Sequence, residues 1–253
     1  PAAALELIHI ASLHHDDVMD RAELRRNSES VNAKWGNGNA VYSGNYLFSK
    51  AISILSTYST GVNQITCHYI SDLCLGQLKE AENAYNILLT KEEHIDIIQK
   101  KTASLFELPC KLGATLAGAD NNTIEALVCY GQNIGIAFQL IDDLLDLKGN
   151  PAKTGKKPGT DLREGVYSYA TLHAFGLEFY GKELSNLLMI EEMDDTHITS
   201  AIKLIKNSGG MEIAKDKATE YVREAINSIS FMPENATKKS LINLANFIAL
   251  RDH

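Results

Sequence analysis

The stretch NTIEALVCYGQNIGIAFQLIDDLLDL, residues 122–147, decides the fold of this chain. Its apolar side chains recur every three or four positions, which predicts one long helix with an apolar face. The apolar positions are Ile124, Leu127, Val128, Ile134, Phe138, Ile141 and Leu145. Gln139, Asp142 and Asp146 lie on a polar stripe beside them. We therefore expect a long amphipathic helix that carries acidic residues next to its packing face.

The rest of the chain is predicted to be helical as well. It has only five prolines, and no convincing run alternates apolar with polar residues, so strands are not needed and the fold class is all-α. The predicted helices span about residues 2–24, 39–59, 63–85, 91–117, 122–147, 166–188, 195–207, 210–229 and 236–251. A polar stretch, residues 148–165, is expected to form a loop. We interpret residues 1–253 as one all-helical domain.

Composition limits the classes of function. With 253 residues, of which 45% are hydrophobic, the chain can bury a substantial core. A net charge of -8 argues against nucleic acid as the main partner. The sequence shows neither an apolar run long enough for a transmembrane segment nor a secretory leader. We expect a cytoplasmic protein, for which peripheral membrane contact stays open.

The cysteines show no spacing typical of a zinc or redox site. All four fall inside helical patterns, and we expect reduced core residues and no zinc. They are Cys67, Cys74, Cys110 and Cys129.

The acidic pattern D-D-x-x-D occurs twice, as DDVMD at residues 16–20 and DDLLD at residues 142–146. Residues four apart on a helix differ by about 40° and one turn, so the first and last Asp of each motif share a face. Like charges at that spacing destabilise a helix unless something neutralises them, and a hard divalent cation that takes oxygen ligands would do so. One such motif alone would more simply be a solvated helix end.

Histidines and basic residues accompany the acidic motifs. His9 lies seven positions before Asp16, two turns away and near its face, although a lone histidine is more often a packing residue. His14 and His15 are expected to be structural or solvent-facing. The basic residues are Arg25, Arg26, Lys101 beside Thr102, and Lys156 and Lys157 in the loop TGKKPG. Acids that bind metal and bases that bind phosphate indicate a diphosphate held by Mg2+ on one side and by cations on the other. The Walker spacing is absent, so nucleotide hydrolysis is not indicated.

Four ordered segments carry a resemblance to a known family. They are LIHIASLHHDDVMDRAELRR (residues 7–26), KTASLF (101–106), GIAFQLIDDLLD (135–146) and TGKKPGTDLREG (154–165). With them the chain resembles the trans-isoprenyl (polyprenyl) diphosphate synthases over nearly all of its length. The resemblance implies the isoprenoid synthase fold, with long helices around a central cavity, and a homodimer. It also implies a prenyltransferase that joins an allylic diphosphate to isopentenyl diphosphate.

The resemblance assigns roles to individual residues. Asp16, Asp20 and Asp142 would be the principal metal ligands, with Asp17, Asp143 and Asp146 as ligands or their hydrogen-bonding partners. Arg25, Lys101, Thr102, Gln139 and Lys156 would hold the allylic diphosphate, and His9 and Arg26 would contact isopentenyl diphosphate. Asp16, Asp20, Asp142 and Lys101 would be the catalytic set, with three Mg2+ ions when diphosphate is bound.

Two departures from the family pattern remove cations from the expected site, whereas two others, Asn45 in Gly44-Asn45-Tyr46 and Asn27 after Arg25-Arg26, look structural. A G-G-K-R-x-R-P segment usually precedes the first acidic motif, and this chain begins too late to contain it. We therefore expect that its first helices are missing and that the isopentenyl diphosphate site is incomplete. The lysine that usually follows the TDLREG segment is Val166 here, which removes one cation.

The length of the product is expected to depend on the helix turn before the first motif. In similar enzymes the residues four and five positions before the first Asp form the floor for the growing chain, and here they are the small Ser12 and Ala11. An open floor predicts a product longer than farnesyl, in the hexaprenyl to decaprenyl range, limited by Ile8, Leu5 or the facing helix. Replacing Ala11 with Phe should then shorten the product. The alternative is a geranylgeranyl or farnesyl diphosphate synthase.

Three other classes of protein compete with this interpretation. A class I terpene cyclase shares the first motif but usually has a different second metal motif. A ferritin-like di-iron bundle needs paired E-x-x-H motifs, and Glu6 to His9 supplies only one. A non-catalytic subunit of a heteromeric synthase is expected to lose the acidic motifs, whereas both are intact here.

Overall fold

Helices dominate the part of the chain that the computed structural model describes, which comprises residues 1–26, 28–149, 158–190 and 193–251. The helices are α1 (Ala2–Met19), α2 (Val31–Trp35), α3 (Asn37–Leu55), α4 (Thr60–Glu82), α5 (Lys91–Ile98), α6 (Ser104–Leu116), α7 (Asn121–Lys148), α8 (Thr160–Arg163), α9 (Tyr169–Phe175), α10 (Glu178–Leu188), α11 (Asp195–Asn207), α12 (Gly210–Ser228) and α13 (Ala236–Ala249). A π-helical segment, Gln99–Ala103, joins α5 to α6, and strands β1 (Leu24–Arg25) and β2 (Ser28–Glu29) follow α1. The all-α prediction is confirmed.

Contacts within the chain define two units, Pro1–Tyr69 and Ile70–His253. In the first unit α1 packs against α3. They approach closely at Gly44, where an added Cβ would lie 2.4 Å from His15 Nε2 and 3.1 Å from the Ala11 carbonyl oxygen. A side chain at this position would therefore displace the His15 ring and press against the backbone of α1. The expectation of one domain over residues 1–253 stays a prediction.

The segment after α1 corrects two predictions. The first helix was expected to reach residue 24, and it ends at Met19. Leu24 and Arg25 then pair antiparallel with Glu29 and Ser28, so a short hairpin exists where no strand was expected. The φ angle is +50° at Arg21 and +51° at Arg26. Such left-handed residues cannot continue a right-handed helix, and the chain turns back there.

In the second unit α7 is the central helix, and the prediction of a helix over residues 122–147 is confirmed to within one residue at each end. Leu140 and Leu144 belong to a core with α9, α10, α11 and α12, whereas Ile134 belongs to a second core with α12 and α13. Within the described residues α7 is the one helix long and apolar enough to cross a membrane, a test that the core helix of a soluble protein also passes. Because α7 is packed into both cores, we describe it as a core helix.

Two other predicted helices are interrupted. Residues 91–117 contain the π-helical segment Gln99–Ala103, and residues 166–188 form α9 and α10 with a break at Leu177, whose backbone is extended. The predicted loop over residues 148–165 contains the short helix α8, and its residues 150–157 lie outside the described part of the chain.

The cysteines were expected to be reduced and in the core. All four are free thiols. Their burial differs from the prediction, since Cys67 and Cys74 are exposed on α4 and Cys110 and Cys129 are half-buried. The helical pattern placed them on helices but could not say which face of α4 is packed.

Candidate active site

The first acidic motif forms the last turn of α1 and its C-cap. Asp17 points into the protein and is 2% exposed, whereas Asp20 is exposed. Arg25 of β1 donates from Nε to Asp17 Oδ1 at 2.8 Å, and its Nη2 lies 3.4 Å from Asp16 Oδ2. The hairpin that the sequence did not predict therefore brings a cation onto the motif.

Arg25 and the three carboxylates influence one another electrostatically. Burial of the guanidinium acts to lower its pKa, but the hydrogen bond to Asp17 and the charges of Asp17, Asp16 and Asp20 together outweigh it. The pKa of Arg25 is raised as a result. The guanidinium stays charged at every physiological pH and offsets part of the negative charge of the motif.

Two faces of α1 differ in burial. Ala4, Ile8 and Ala11 have no accessible surface. The next face carries Leu5, His9, Ser12 and Asp16, which are all partly exposed. Ser12 Oγ donates to the His9 carbonyl oxygen at 2.8 Å. The expectation that Ala11 borders an open cavity is therefore wrong, and Ser12 is the small residue on the face of Asp16.

His14 and His15 lie on the side of α1 towards α3. His14 Nδ1 is 2.9 Å from Ser43 Oγ, and His15 Nε2 is 3.2 Å from the Val41 carbonyl oxygen. Burial is the main cause that lowers the pKa of His14, opposed by the charge of Asp17 and assisted by His15. Both histidines have structural partners, as expected.

The second acidic motif lies in the last two turns of α7. The Asp142 side chain is 49% exposed, and its Oδ1 lies 3.4 Å from Nη1 of Arg251. The Arg251 guanidinium also lies over the Phe138 ring, 4.9 Å from the centroid. The end of the chain thus contacts the first carboxylate of this motif.

Asp143 and Asp146 have different surroundings. Asp143 is 8% exposed, and its Oδ1 accepts a hydrogen bond from Gln139 Nε2 at 2.8 Å. Asp146 accepts from the backbone N–H of Thr160 at 3.1 Å and of Asp161 at 3.4 Å. Asp146 therefore caps the first turn of α8 and orients the chain that follows the motif.

The π-helical segment presents Lys101 and Thr102. Lys101 Nζ forms an ion pair with Glu80 of α4, and Thr102 Oγ1 donates to Gln139 Oε1 at 2.8 Å. A Cβ added at Gly76 of α4 would lie 2.3 Å from the Lys101 backbone nitrogen. The wider turn of a π-helix is common at functional sites, and here only glycine permits the close approach of α4 to it.

The predicted site residues are distributed over both units. Each unit is described by itself. The first unit holds His9, Asp16, Asp17, Asp20, Arg25 and Arg26. The second unit holds Lys101, Thr102, Gln139, Asp142, Asp143 and Asp146, and within it Thr102, Gln139 and Asp143 are joined by hydrogen bonds. Lys156 and Lys157 lie outside the described residues. Across the described residues no three His, Cys, Asp or Glu side chains converge on a preformed metal position.

Sequence reasoning missed three residues beside the second motif. Glu80 pairs with Lys101, Arg251 pairs with Asp142, and Nε2 of the buried His94 lies 3.5 Å from Asp143 Oδ2. No spacing pattern marks them, because each comes from a different helix or chain end. His94 comes seven residues before Lys101, which is the one signal that could have drawn attention to it.

Comparison with known proteins gives consistent matches. Residues 1–205 match the family model described as Polyprenyl synthetase. The chain is 32% identical to the nonaprenyl diphosphate synthase of Mycobacterium tuberculosis over 98% of this chain and 75% of that protein. It is also 32% identical to the geranylgeranyl diphosphate synthase of Methanosarcina mazei over 100% of this chain and 78% of that protein. Among solved structures, the polyprenyl synthase of Caulobacter crescentus CB15 complexed with calcium and isoprenyl diphosphate is similar, with a TM-score of 0.93, 32% identity and coverage of 100% and 78%.

Proposed function

The chain belongs to the polyprenyl synthetase family and is a prenyltransferase with the isoprenoid synthase fold, and from this premise we propose that it uses Mg2+ and both acidic motifs to extend an allylic diphosphate with isopentenyl diphosphate. One observation carries the proposal. In each motif the second of the three aspartates, Asp17 or Asp143, is buried and held by another side chain. The first and third aspartates stay accessible to solvent. Such oxygen donors suit a hard divalent cation.

In each unit the accessible carboxylates, Asp16 and Asp20 in the first and Asp142 and Asp146 in the second, suit Mg2+ as oxygen donors. Bound Mg2+ would supply charge neutralisation for the departing diphosphate. The calcium in the related Caulobacter crescentus structure supports a divalent cation in this class of protein.

The basic residues would stabilise the same developing charge. Arg25 and Lys101 are held by carboxylates, so their cationic groups are already oriented before substrate binds. Thr102, Gln139 and Lys156 complete the proposed allylic diphosphate site. At Val166 no cation is present, and its backbone N–H donates to the Asp161 carbonyl oxygen at 2.8 Å.

Isopentenyl diphosphate would be bound by His9 and Arg26. His9 lies on the partly exposed face of α1 that carries Asp16, two turns from it. Arg26 is exposed in the turn between β1 and β2. The reaction requires no protein nucleophile. The allylic carbon–oxygen bond would ionise and release diphosphate, and the double bond of isopentenyl diphosphate would then form the new carbon–carbon bond with the allylic cation. The isopentenyl unit would lose a proton to the released diphosphate.

The experiment that tests this function uses the purified full-length protein with isopentenyl diphosphate, Mg2+ and farnesyl or geranylgeranyl diphosphate, followed by chromatography of the extracted alcohols. Asp16→Asn and Asp142→Asn should each lower incorporation by about 10²–10³-fold. Glu125→Gln removes the same charge from an exposed position of α7 and is the matched control. Full activity of the double aspartate variant would refute the metal assignment. Incorporation that appears only after a second, different chain is added would favour the non-catalytic subunit.

The product is proposed to be longer than farnesyl, since the partly exposed face of α1 carries the small Ser12 one turn before Asp16. Leu5, two turns further along this face, is the first large apolar side chain that could stop the growing chain. Ser12→Phe should shorten the product. Ala11→Phe should instead cost stability, about 1–3 kcal/mol, because Ala11 has no accessible surface. An unchanged product length from a folded Ser12→Phe enzyme would show that this face of α1 does not limit the growing chain.

We also propose a homodimer, supported by a face of α4. Its exposed positions include Cys67, Ser71, Cys74, Leu75 and Leu78, which recur at helical spacing. An unpartnered stripe of small and apolar side chains is typical of a helix that packs against another. Leu78→Glu should shift the protein to monomers in analytical ultracentrifugation, and a dimer of unchanged affinity would exclude this face. The cytoplasmic location stays a prediction.

A further inference from the structure

His94 is a buried histidine that the proposed reaction does not use. It lies in the middle of α5 and is 6% exposed. Its Nε2 is 3.5 Å from Asp143 Oδ2, within ion-pair distance, and neither atom forms a hydrogen bond within the described part of the chain. Two buried polar atoms that face only each other indicate a specific pairing, because each would otherwise lose its hydration without compensation.

The pair is one end of a series of four polar side chains, which are His94, Asp143, Gln139 and Thr102. Asp143 Oδ1 accepts from Gln139 Nε2 at 2.8 Å, and Gln139 Oε1 accepts from Thr102 Oγ1 at 2.8 Å. This series of side chains therefore connects α5 through α7 to the π-helical segment. Because both ends of the Gln139 amide are used, its orientation is dictated by Asp143 on one side and by Thr102 on the other.

The position of Thr102 in turn depends on this series of side chains. Thr102 follows Lys101 directly in the π-helical segment, where the backbone hydrogen bonding differs from that of the α-helices on either side. If His94 were removed, Asp143 Oδ2, which forms no hydrogen bond among the described residues, would also lose its ion-pair partner, and the carboxylate could rotate away from Gln139. The amide of Gln139 would then be free to turn, and Thr102 would lose its acceptor.

We propose that His94 is a positioning residue for prenyl transfer. It holds Asp143 inside the protein, and through Gln139 it keeps Thr102 and Lys101 in their positions relative to Asp142. This inference rests on the proposed function. It assigns Asp143 to anchoring the second motif, and it leaves the binding of metal and diphosphate to its neighbours. The role requires a donor at the position of Nε2 and does not require His94 to touch substrate.

Two variants of His94 separate geometry from packing. His94→Phe keeps a ring and removes the donor, whereas His94→Gln places an amide nitrogen close to the position of Nε2. Tyr130→Phe is the matched control, because it removes another buried hydrogen bond of α7, from Tyr130 Oη to the Leu241 carbonyl oxygen at 2.8 Å, far from this series of side chains.

The measurements are the Mg2+ dependence of the reaction, the KM for the allylic diphosphate, and calorimetric binding of Mg2+ with inorganic diphosphate. His94→Phe should weaken Mg2+ and diphosphate binding by about 10-fold or more, as for other residues that orient metal ligands, and His94→Gln should recover most of it. Tyr130→Phe should lower thermal stability and leave both binding curves unchanged. If His94→Phe does not fold, His94→Asn, whose amide is too short to reach Asp143, replaces it.

The outcomes distinguish this inference from the function on which it rests. Wild-type protein that does not bind Mg2+ with diphosphate would overturn the proposed function itself. Normal binding by the wild type together with unchanged binding by His94→Phe would overturn only the role of His94. Equal losses for His94→Phe and His94→Gln would also overturn it, because the donor at Nε2 would then not be what matters.

Discussion

The two acidic motifs share one sequence pattern, but their buried central aspartates are held in different ways. Asp17 is bound by the guanidinium of Arg25, which follows eight positions later on a short hairpin. Asp143 is bound by Gln139, one turn earlier on the same helix, and faces His94 of another helix. The side chain that holds Asp17 is near it in sequence and permanently charged. Asp143 is held by a longer series of polar side chains, whose positions depend on helix packing.

This difference shows that equal spacing does not imply equal support. Arg25 can only donate hydrogen bonds, so Asp17 Oδ1, which accepts from it, must remain an acceptor. Asp143 Oδ1 accepts instead from the uncharged amide of Gln139, so this contact depends less on charge. Arg25 is also 31% exposed, and salt will screen its pairing more than contacts around the buried Asp143.

The largest effect is expected where packing supports the second motif. Gly135 of α7 lies against the π-helical segment, and a Cβ added there would be 2.4 Å from Ala103 Cα. Gly135→Ala should therefore lower the free energy of unfolding by about 1–3 kcal/mol and separate Thr102 from Gln139. Gly113→Ala in α6 meets nothing within 4 Å and should stabilise by roughly 0.5–1 kcal/mol. Denaturant unfolding of both variants measures this, and equal destabilisation would mean that the close approach is not the cause.

A smaller effect should separate the two central aspartates. Asp17→Asn removes the charge that pairs with Arg25 and should cost about 1–2 kcal/mol, less in 1 M salt. Asp143→Asn keeps an acceptor for the uncharged amide of Gln139, so it should cost about 1 kcal/mol at any salt concentration. Chemical denaturation at low and high salt provides the test. A larger cost for Asp143→Asn would show that the contacts of Asp143 depend on charge as well.

The smallest effect is a pH dependence linked to the first motif. The pKa of His14 lies below its ordinary value of 6.5, because burial outweighs the attraction of Asp17. The unfolded chain therefore binds more protons just below pH 6.5, and the free energy of unfolding should fall as the pH drops through that window. His14→Gln should reduce the slope, and Asp17→Asn should increase it. The lowered pKa of His173, caused mainly by burial, acts in the same direction and leaves a residual slope. An unaltered slope in both variants would exclude His14 as a cause.

Much of the helical content was predictable because helix periodicity is a local property. Residues 122–147 carried the apolar spacing of a core helix, and the structure has α7 at Asn121–Lys148. The hairpin after α1 was not predictable, because two-residue strands leave no periodic pattern and the left-handed turn at Arg26 is not favoured by its residue type. The π-helical segment likewise depends on the close approach of α4 and α7 through glycine.

The sequence by itself determined the all-helical class, the family and the two rows of carboxylates, since these follow from spacing along one chain. Only the tertiary structure decided which aspartate of each row is buried, that Ala11 is packed while Ser12 is accessible, and that His94, Glu80 and Arg251 accompany the second motif. The physical reason is that burial and pairing depend on which helix faces pack together, and contacts between residues distant in sequence set those faces.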